Sequence, residues 1–312
     1  MRLPKGRIFI IGGAEHKSDG RALNMEEYNK DFEPFEILKG LLPGKKAGRS
    51  IEIIPTASRV PEEIWEMYKK AFSKLGFSNV NFLDVRTRED ASNEKFVSKI
   101  KKAYTVFFTG GSQFRLSTML GGTKLIKAIE ERYFDDEDFI IAGSSAGAMA
   151  MSKIMIYEGQ TKEAMLKGDI KVMSGLGFLD YCIIDAHFVK RGRFGRLTQS
   201  IITNPSCVGI GLGEDTALLI THGNQAECIG SGMVIIIDAS DIKYTNIVEA
   251  SDYTPLCAEG LIVHILSRGN GYQIREREFI PKIKTPVKII SQNGQNKSRV
   301  LQHHQTAKNH EL

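Results

Sequence analysis

Hydrophobic and polar positions alternate in blocks along most of the chain. Short apolar runs close on glycine or proline: Arg7–Ile11 ends in Gly12-Gly13, and Ser50–Ile54 in Pro55-Thr56. Residues 80–85 and 104–108 continue the series, the latter closed by Thr109-Gly110-Gly111, and residues 139–142 run into Gly143. Apolar runs of this length between turn residues read as buried strands. Longer amphipathic stretches at 25–39, 61–75, Glu94–Lys102 and from Gln113 onward read as helices, with Pro61 suited to a first helical turn. Such alternation implies parallel strands in a sheet covered on both faces. After about residue 175 the pattern turns β-rich, at 182–184, Val208–Leu212, 217–220, 226–229 and 233–238. These strands read as a mixed extension of the sheet rather than an independent domain. A last short apolar stretch holds residues 264–266, before a turn at Gly269-Asn270-Gly271. Residues 282–312 hold few core-forming side chains and read as a flexible tail. Residues 1–281 are then expected to form a single α/β domain.

Composition narrows what such a chain can be. Its 312 residues are 42% hydrophobic and 25% charged, a globular balance that excludes a disordered, collagen-like or disulfide-scaffold protein. Cys182, Cys207, Cys228 and Cys257 form no Cys-x-x-Cys pair and no zinc-type spacing with histidine, so reduced thiols and no metal site are expected. The four apolar residues at 8–11 are too few for a signal-peptide core of about 7–15. No run approaches the roughly 18 apolar residues of a membrane span. A cytoplasmic protein with no membrane partner is the expectation. The formal charge is +5, and six basic residues (Lys282, Lys284, Lys288, Lys297, Arg299 and Lys308) against Glu311 account for all of it. The body is therefore neutral overall, and the basic pI gives no reason to expect a nucleic-acid partner.

Candidate chemistry concentrates at the glycine turns. Gly143-Ser144-Ser145-Ala146-Gly147 follows a predicted strand and precedes a helix-compatible stretch. That is G-x-S-x-G in the context it needs, a tight turn that lifts the Ser145 hydroxyl off the end of the sheet. A helix start behind the serine favours developing negative charge. Ser144 stands at the intervening position and should point elsewhere. A phosphate-binding turn fits the same glycines. Thr109-Gly110-Gly111 sits in an equivalent place, and the Gly111 and Ala146 N–H groups are candidate oxyanion donors; an ordinary turn between strand and helix would look alike.

A nucleophilic serine needs a histidine and, behind it, an acid. His303, His304 and His310 fall in the tail. His187 follows the apolar run at 182–184 as Asp185-Ala186-His187-Phe188, where open α/β sheets place their chemistry. His16, between Glu15 and Lys17, reads as part of a solvated loop, and His222 as a hairpin residue. Glu214, in the glycine-rich Gly209-Ile210-Gly211-Leu212-Gly213-Glu214, is the candidate orienting acid, with Asp185 and Glu163 as competitors. Lys190-Arg191-Gly192-Arg193-Phe194-Gly195-Arg196 reads either as a solvated charge run or as guanidiniums converging on a carboxylate.

Taken together, these segments resemble cyanophycinase and its relatives, the peptidase E-like serine peptidases. The likeness rests on Ile10-Ile11-Gly12-Gly13-Ala14-Glu15, Phe108-Thr109-Gly110-Gly111-Ser112-Gln113, Gly143-Ser144-Ser145-Ala146-Gly147-Ala148, Asp185-Ala186-His187-Phe188 with the arginines after it, and Gly209 through Ala217. It implies a three-layer α/β/α fold with a mostly parallel, doubly wound sheet, flavodoxin-like and class I glutamine amidotransferase-like, with a β-rich C-terminal extension. It implies a Ser145–His187–Glu214 triad and pocket positions at Gln113, Asp185, Arg191, Arg193 and Arg196. The implied substrate is cyanophycin, a polyaspartate with arginine on its β-carboxylates, cleaved from the end to β-Asp-Arg. No cofactor and a homodimer are also implied. Two positions depart from the family pattern. Ala186 stands where glutamine is usual and Ser112 where an acid is usual, and both bear on specificity. Related aspartyl or isoaspartyl peptidases and a non-catalytic protein with the same fold are the alternatives.

Overall fold

A computed structural model describes residues 2–17, 29–30, 32–43, 48–159 and 166–281. Strands β1 (Arg7–Ile11), β2 (Ser50–Ile54), β3 (Val80–Phe82), β4 (Ala103–Phe108) and β5 (Ile140–Ser144) run parallel in the order β3-β2-β4-β5-β1. Beyond β1 the sheet continues antiparallel through β10 (Thr216–Thr221), β11 (Gln225–Gly230), β16 (Gly271–Gln273) and β17 (Glu278–Ile280). The mostly parallel core and its β-rich extension thus take the expected form.

Alternation along the strands divides the core. Ile8 and Ile10 of β1 point into one apolar layer, while Phe9 and Ile11 point into the other, as the period of two demands. Helices α1 (Glu36–Lys39) and α2 (Pro61–Lys74) cover the second face, with Ile37, Tyr68, Ala71 and Phe72 buried. Helices α3 (Glu94–Lys102), α4 (Gln113–Leu120), α5 (Lys124–Asp135) and α6 (Ala146–Met149) contribute to the first. Asn93 caps α3 by accepting from the Lys95 N–H, and Ser112 caps α4 by accepting from the Arg115 N–H.

Several elements depart from the sequence pattern. The later strands do not all extend the main sheet: β8 (Cys182–Asp185), β9 (Val208–Leu212), β12 (Val234–Asp238) and β15 (Ile262–Leu266) form a second, four-stranded one. Two hairpin pairs were not foreseen, β6 (Ile154–Glu158) with β7 (Lys171–Ser174), and β13 (Tyr244–Thr245) with β14 (Ala258–Glu259). The helix expected over 25–39 is confined, among the described residues, to α1. Pro34 disfavours helical backbone before it, and Phe35 turns left-handed with φ 60°. The helical run from Gln113 breaks at Gly121-Gly122 into α4 and α5. Helix α7 (Phe194–Thr203) occupies the end of the arginine-rich segment; Phe194, Leu197, Ile201 and Ile202 do follow the helical period, but the charges and glycines of residues 190–196 obscure it. The tail expected at 282–312 lies outside the described residues, as do residues 25–28 and Glu163. Cys182, Cys207 and Cys228 are buried thiols and Cys257 an exposed one. Among the described residues no helix is long and apolar enough to cross a membrane.

Candidate active site

The carboxyl ends of β1, β4 and β5 lie side by side and carry three glycine turns. Open α/β sheets bind ligands at this edge. Beyond β5, Ser145 takes φ 55° and ψ −112°, a strained conformation for a side-chain-bearing residue. The glycines on either side are obligatory: a Cβ at Gly143 would come within 2.6 Å of the Gly147 backbone, and one at Gly147 within 2.2 Å of the Phe108 carbonyl oxygen. The turn is thereby pressed between strand and helix, and Ser145 stands at its apex.

Three consecutive carbonyls at the end of β1 hold the parts together. Ile11 O accepts the Ser145 N–H at 2.9 Å, Gly12 O accepts the His187 N–H at 2.9 Å, and Gly13 O accepts the Asp215 N–H at 3.0 Å. His187 and Asp215 are themselves left-handed, with φ 50° and 48°. The result brings together the three residues drawn from the sequence. Ser145 Oγ lies 3.0 Å from His187 Nε2, and His187 Nδ1 lies 2.7 Å from Glu214 Oε1. Lys190 Nζ donates to the other oxygen of Glu214 at 3.0 Å. Burial pushes the Glu214 carboxyl upward, but the hydrogen bonds from His187 and Lys190 outweigh it and hold the group below its ordinary value. A carboxylate so held fixes the imidazole with Nε2 toward the serine. That constellation can draw the hydroxyl proton as the oxygen attacks a carbonyl.

The remaining expected residues fall in distinct places. Ala146 begins the helix behind Ser145. The peptide joining Gly110 to Gly111 runs beside the serine, since a Cβ at Gly110 would lie 3.5 Å from Ser145 Cβ. Gln113 is half-buried and donates from Nε2 to the Ile156 carbonyl at 3.1 Å. Arg191 is exposed. Asp185 is not brought to the imidazole. It is fully buried and takes Arg193 Nη1 at 2.9 Å and Arg196 Nε at 2.6 Å, with Arg196 Nη2 closing a bidentate pair. The guanidinium fork of Arg196 is thus closed by Asp185 and buried, and Arg193 is shared between Asp185 and the Ala186 carbonyl.

Several contributors were not legible. A Cβ at Gly13, whose φ is 94°, would stand 2.5 Å from Cε1 and Nε2 of His187, so the imidazole rests on bare backbone. Glu15, fully buried, accepts from the Ser144 hydroxyl at 2.8 Å and from the Tyr68 phenol, with Lys17 Nζ at 3.2 Å. Burial opposes its charge, yet Lys17, Tyr68 and Ser144 together keep it below the ordinary carboxylate value. His16 is no solvated loop residue: it is 5% exposed, edge-on to Phe32 and Phe35, and its Nδ1 accepts the Phe35 N–H.

Fold and site together define a peptidase, a hydrolase built on a mostly parallel α/β sheet. The chain belongs to peptidase family S51, whose family model matches residues 18–229. It is 32% identical over 287 residues to a cyanophycinase of Nostoc sp., covering 91% of each chain. It is 33% identical to a cyanophycinase of Geminocystis herdmanii, over 86% of this chain and 93% of the relative. A crystal structure of a peptidase from an acI-B1 Actinobacterium shares the fold, with a TM-score of 0.58 and 24% identity, covering 88% of this chain and 98% of that one.

Proposed function

We propose that the protein is a serine-type exopeptidase that hydrolyses cyanophycin to β-Asp-Arg dipeptides. The observation that carries the catalytic part is the unbroken relay from Ser145 Oγ through His187 to Glu214, at 3.0 and 2.7 Å. The relatives named cyanophycinase support the substrate. In this reading Ser145 attacks the scissile carbonyl as His187 takes its proton. The Gly111 and Ala146 N–H groups receive the oxyanion. His187 then returns the proton to the leaving amine, and water, activated by the same imidazole, releases the acyl group from Ser145. Glu214 keeps the imidazole oriented. Gln113, Arg191 and the Asp185–Arg193–Arg196 cluster border the substrate, the cluster acting by stiffening the segment that bears His187. The enzyme works in the cytoplasm as a homodimer.

The test is direct. Purified protein incubated with cyanophycin should release β-Asp-Arg, and Ser145→Ala should abolish release while leaving the circular dichroism spectrum unchanged. Full activity in Ser145→Ala would remove the serine from its role. A second reading, a peptidase for other aspartyl or isoaspartyl peptides, is favoured by Ala186, which brings no amide where the family usually has one. Cleavage of isoaspartyl dipeptides with none of cyanophycin would select it.

A further inference from the structure

A group of arginines surrounds a cavity over the carboxyl end of β2, on the other side of the Thr109–Ser112 turn from Ser145. A cavity of about 230 Å³ is lined there by Thr56, Ser58, Arg59, Asp84, Arg86 and Arg115, among others. Its position is tied to the nucleophile through the Thr109–Ser112 turn. Gly110 faces Ser145, whereas Gly111 turns its other side to the β2 loop, where a Cβ would stand 2.1 Å from the Ala57 carbonyl oxygen. Ser112 N–H donates to that same carbonyl at 2.9 Å. The proposed oxyanion turn is thus the partition between serine and cavity.

Charge in the cavity is unevenly satisfied. Arg86 is consumed by Asp84, whose Oδ1 accepts from its Nε at 2.6 Å, and by Glu62. Arg115 donates from Nε to the Thr56 carbonyl at 2.9 Å, which fixes the side chain while the rest of its guanidinium lines the cavity. Arg59 is exposed and forms no hydrogen bond or ion pair with a described residue. Two guanidiniums without a carboxylate partner, one of them held rigid by its own backbone contact, suit a carboxylate ligand.

We propose that the cavity between Arg59 and Arg115 is a subsite for a carboxylate of the substrate unit adjoining the scissile bond. The proposal rests on cyanophycin as substrate. Arginine joined through its amino group to an aspartate side chain keeps its own carboxylate free, so every unit of the polymer carries one. A chain lying across the glycine partition, with its scissile carbonyl at Ser145, presents the neighbouring unit's carboxylate to Arg59 and Arg115. The subsite accounts for recognition of the neighbouring unit without calling on Arg196, whose fork Asp185 already fills.

The experiment uses full-length protein and synthetic trimers of β-Asp-Arg, with arginine either unmodified or carried as its carboxamide. With wild-type enzyme, amidation should raise KM about 10-fold and leave kcat unchanged, the effect of losing one charge-assisted contact. Arg59→Ala should raise KM for the unmodified trimer by a similar factor and shrink the amidation penalty to what Arg115 alone supplies. Arg59→Glu should raise it further by repulsion. An unchanged KM in Arg59→Ala, or an amidation penalty undiminished in that variant, overturns the subsite while cyanophycin hydrolysis stands. No dipeptide from the unmodified trimer with wild-type enzyme overturns the substrate reading itself, and the subsite with it.

Discussion

Gly13 and Glu15 flank Ala14, itself left-handed at φ 51°; Gly13 lies under the His187 imidazole, and Glu15 holds Ser144, the residue before Ser145. Gly13 is the floor of the imidazole, so Gly13→Ala should push the ring from Ser145. The expected outcome is a fall in kcat of about 100-fold, the scale of a 1 Å misplacement, with KM little changed. Glu214→Gln should cost more, about 10³–10⁴-fold in kcat, by presenting the wrong group to Nδ1. Glu15 offers a pH signature. Its folded carboxyl is held below its ordinary value, so its contribution to stability is complete above that ordinary value. The contribution is lost as pH falls through about 4 toward the folded value. Glu15→Gln should therefore lower stability at pH 7 by about 1–3 kcal/mol and flatten the acid limb in denaturant melts taken from pH 7 to pH 3. Ser145 and His187 stood out as candidates because glycine neighbours and strand ends mark their places; Glu214 was one of three candidate acids, singled out by the family resemblance. Glu15 did not stand out, since its partners Tyr68 and Ser144 lie far away in the chain and no local spacing records them.

At the scale of elements, the segment from β8 to α7 turns on one buried carboxylate. Asp185 ends the strand, and Arg193 and Arg196 anchor the start of the helix to it, with His187 between them in sequence. Burial lowers the proton affinity of Arg193 and the neighbouring Asp185 opposes that fall. Removing one member strands the others: Arg196→Ala should destabilise the fold by about 3–5 kcal/mol and reduce activity by loosening His187, both measurable by thermal melting and dipeptide release. The sequence showed the arginines and the acid but not their pairing. Guanidiniums converging on a carboxylate look the same whether that carboxylate belongs to a ligand or to the chain. The parallel strands were legible because they are apolar runs closed by turn residues; α7 was not, because the arginines and glycines at its start hide the helical spacing of Phe194, Leu197 and Ile201.

For the whole molecule, the charge distribution carries the clearest expectation. Residues 1–281 hold no net formal charge, and the main sheet reaches its edge at Glu278–Ile280. A chain ending at Pro281 should fold and keep the peptidase activity of the full protein while its isoelectric point falls toward neutrality, checked by melting, activity and isoelectric focusing. The division into a parallel half and an antiparallel half was visible in the changing pattern near residue 175, but the splitting off of the second sheet was not, because pairing between distant strands leaves no mark on either. The three consecutive carbonyls of β1 have a last consequence, in time rather than space. The strand that gathers the serine, the histidine and the acid precedes all of them along the chain, and is therefore made before the segments it gathers, Asp215 last. Until then Ile11, Gly12 and Gly13 hold out their oxygens to absent partners. On the proposed triad, a nascent chain that stops short of residue 214 carries a serine with no complete relay behind it, and should gain hydrolytic competence only once synthesis has passed the acid.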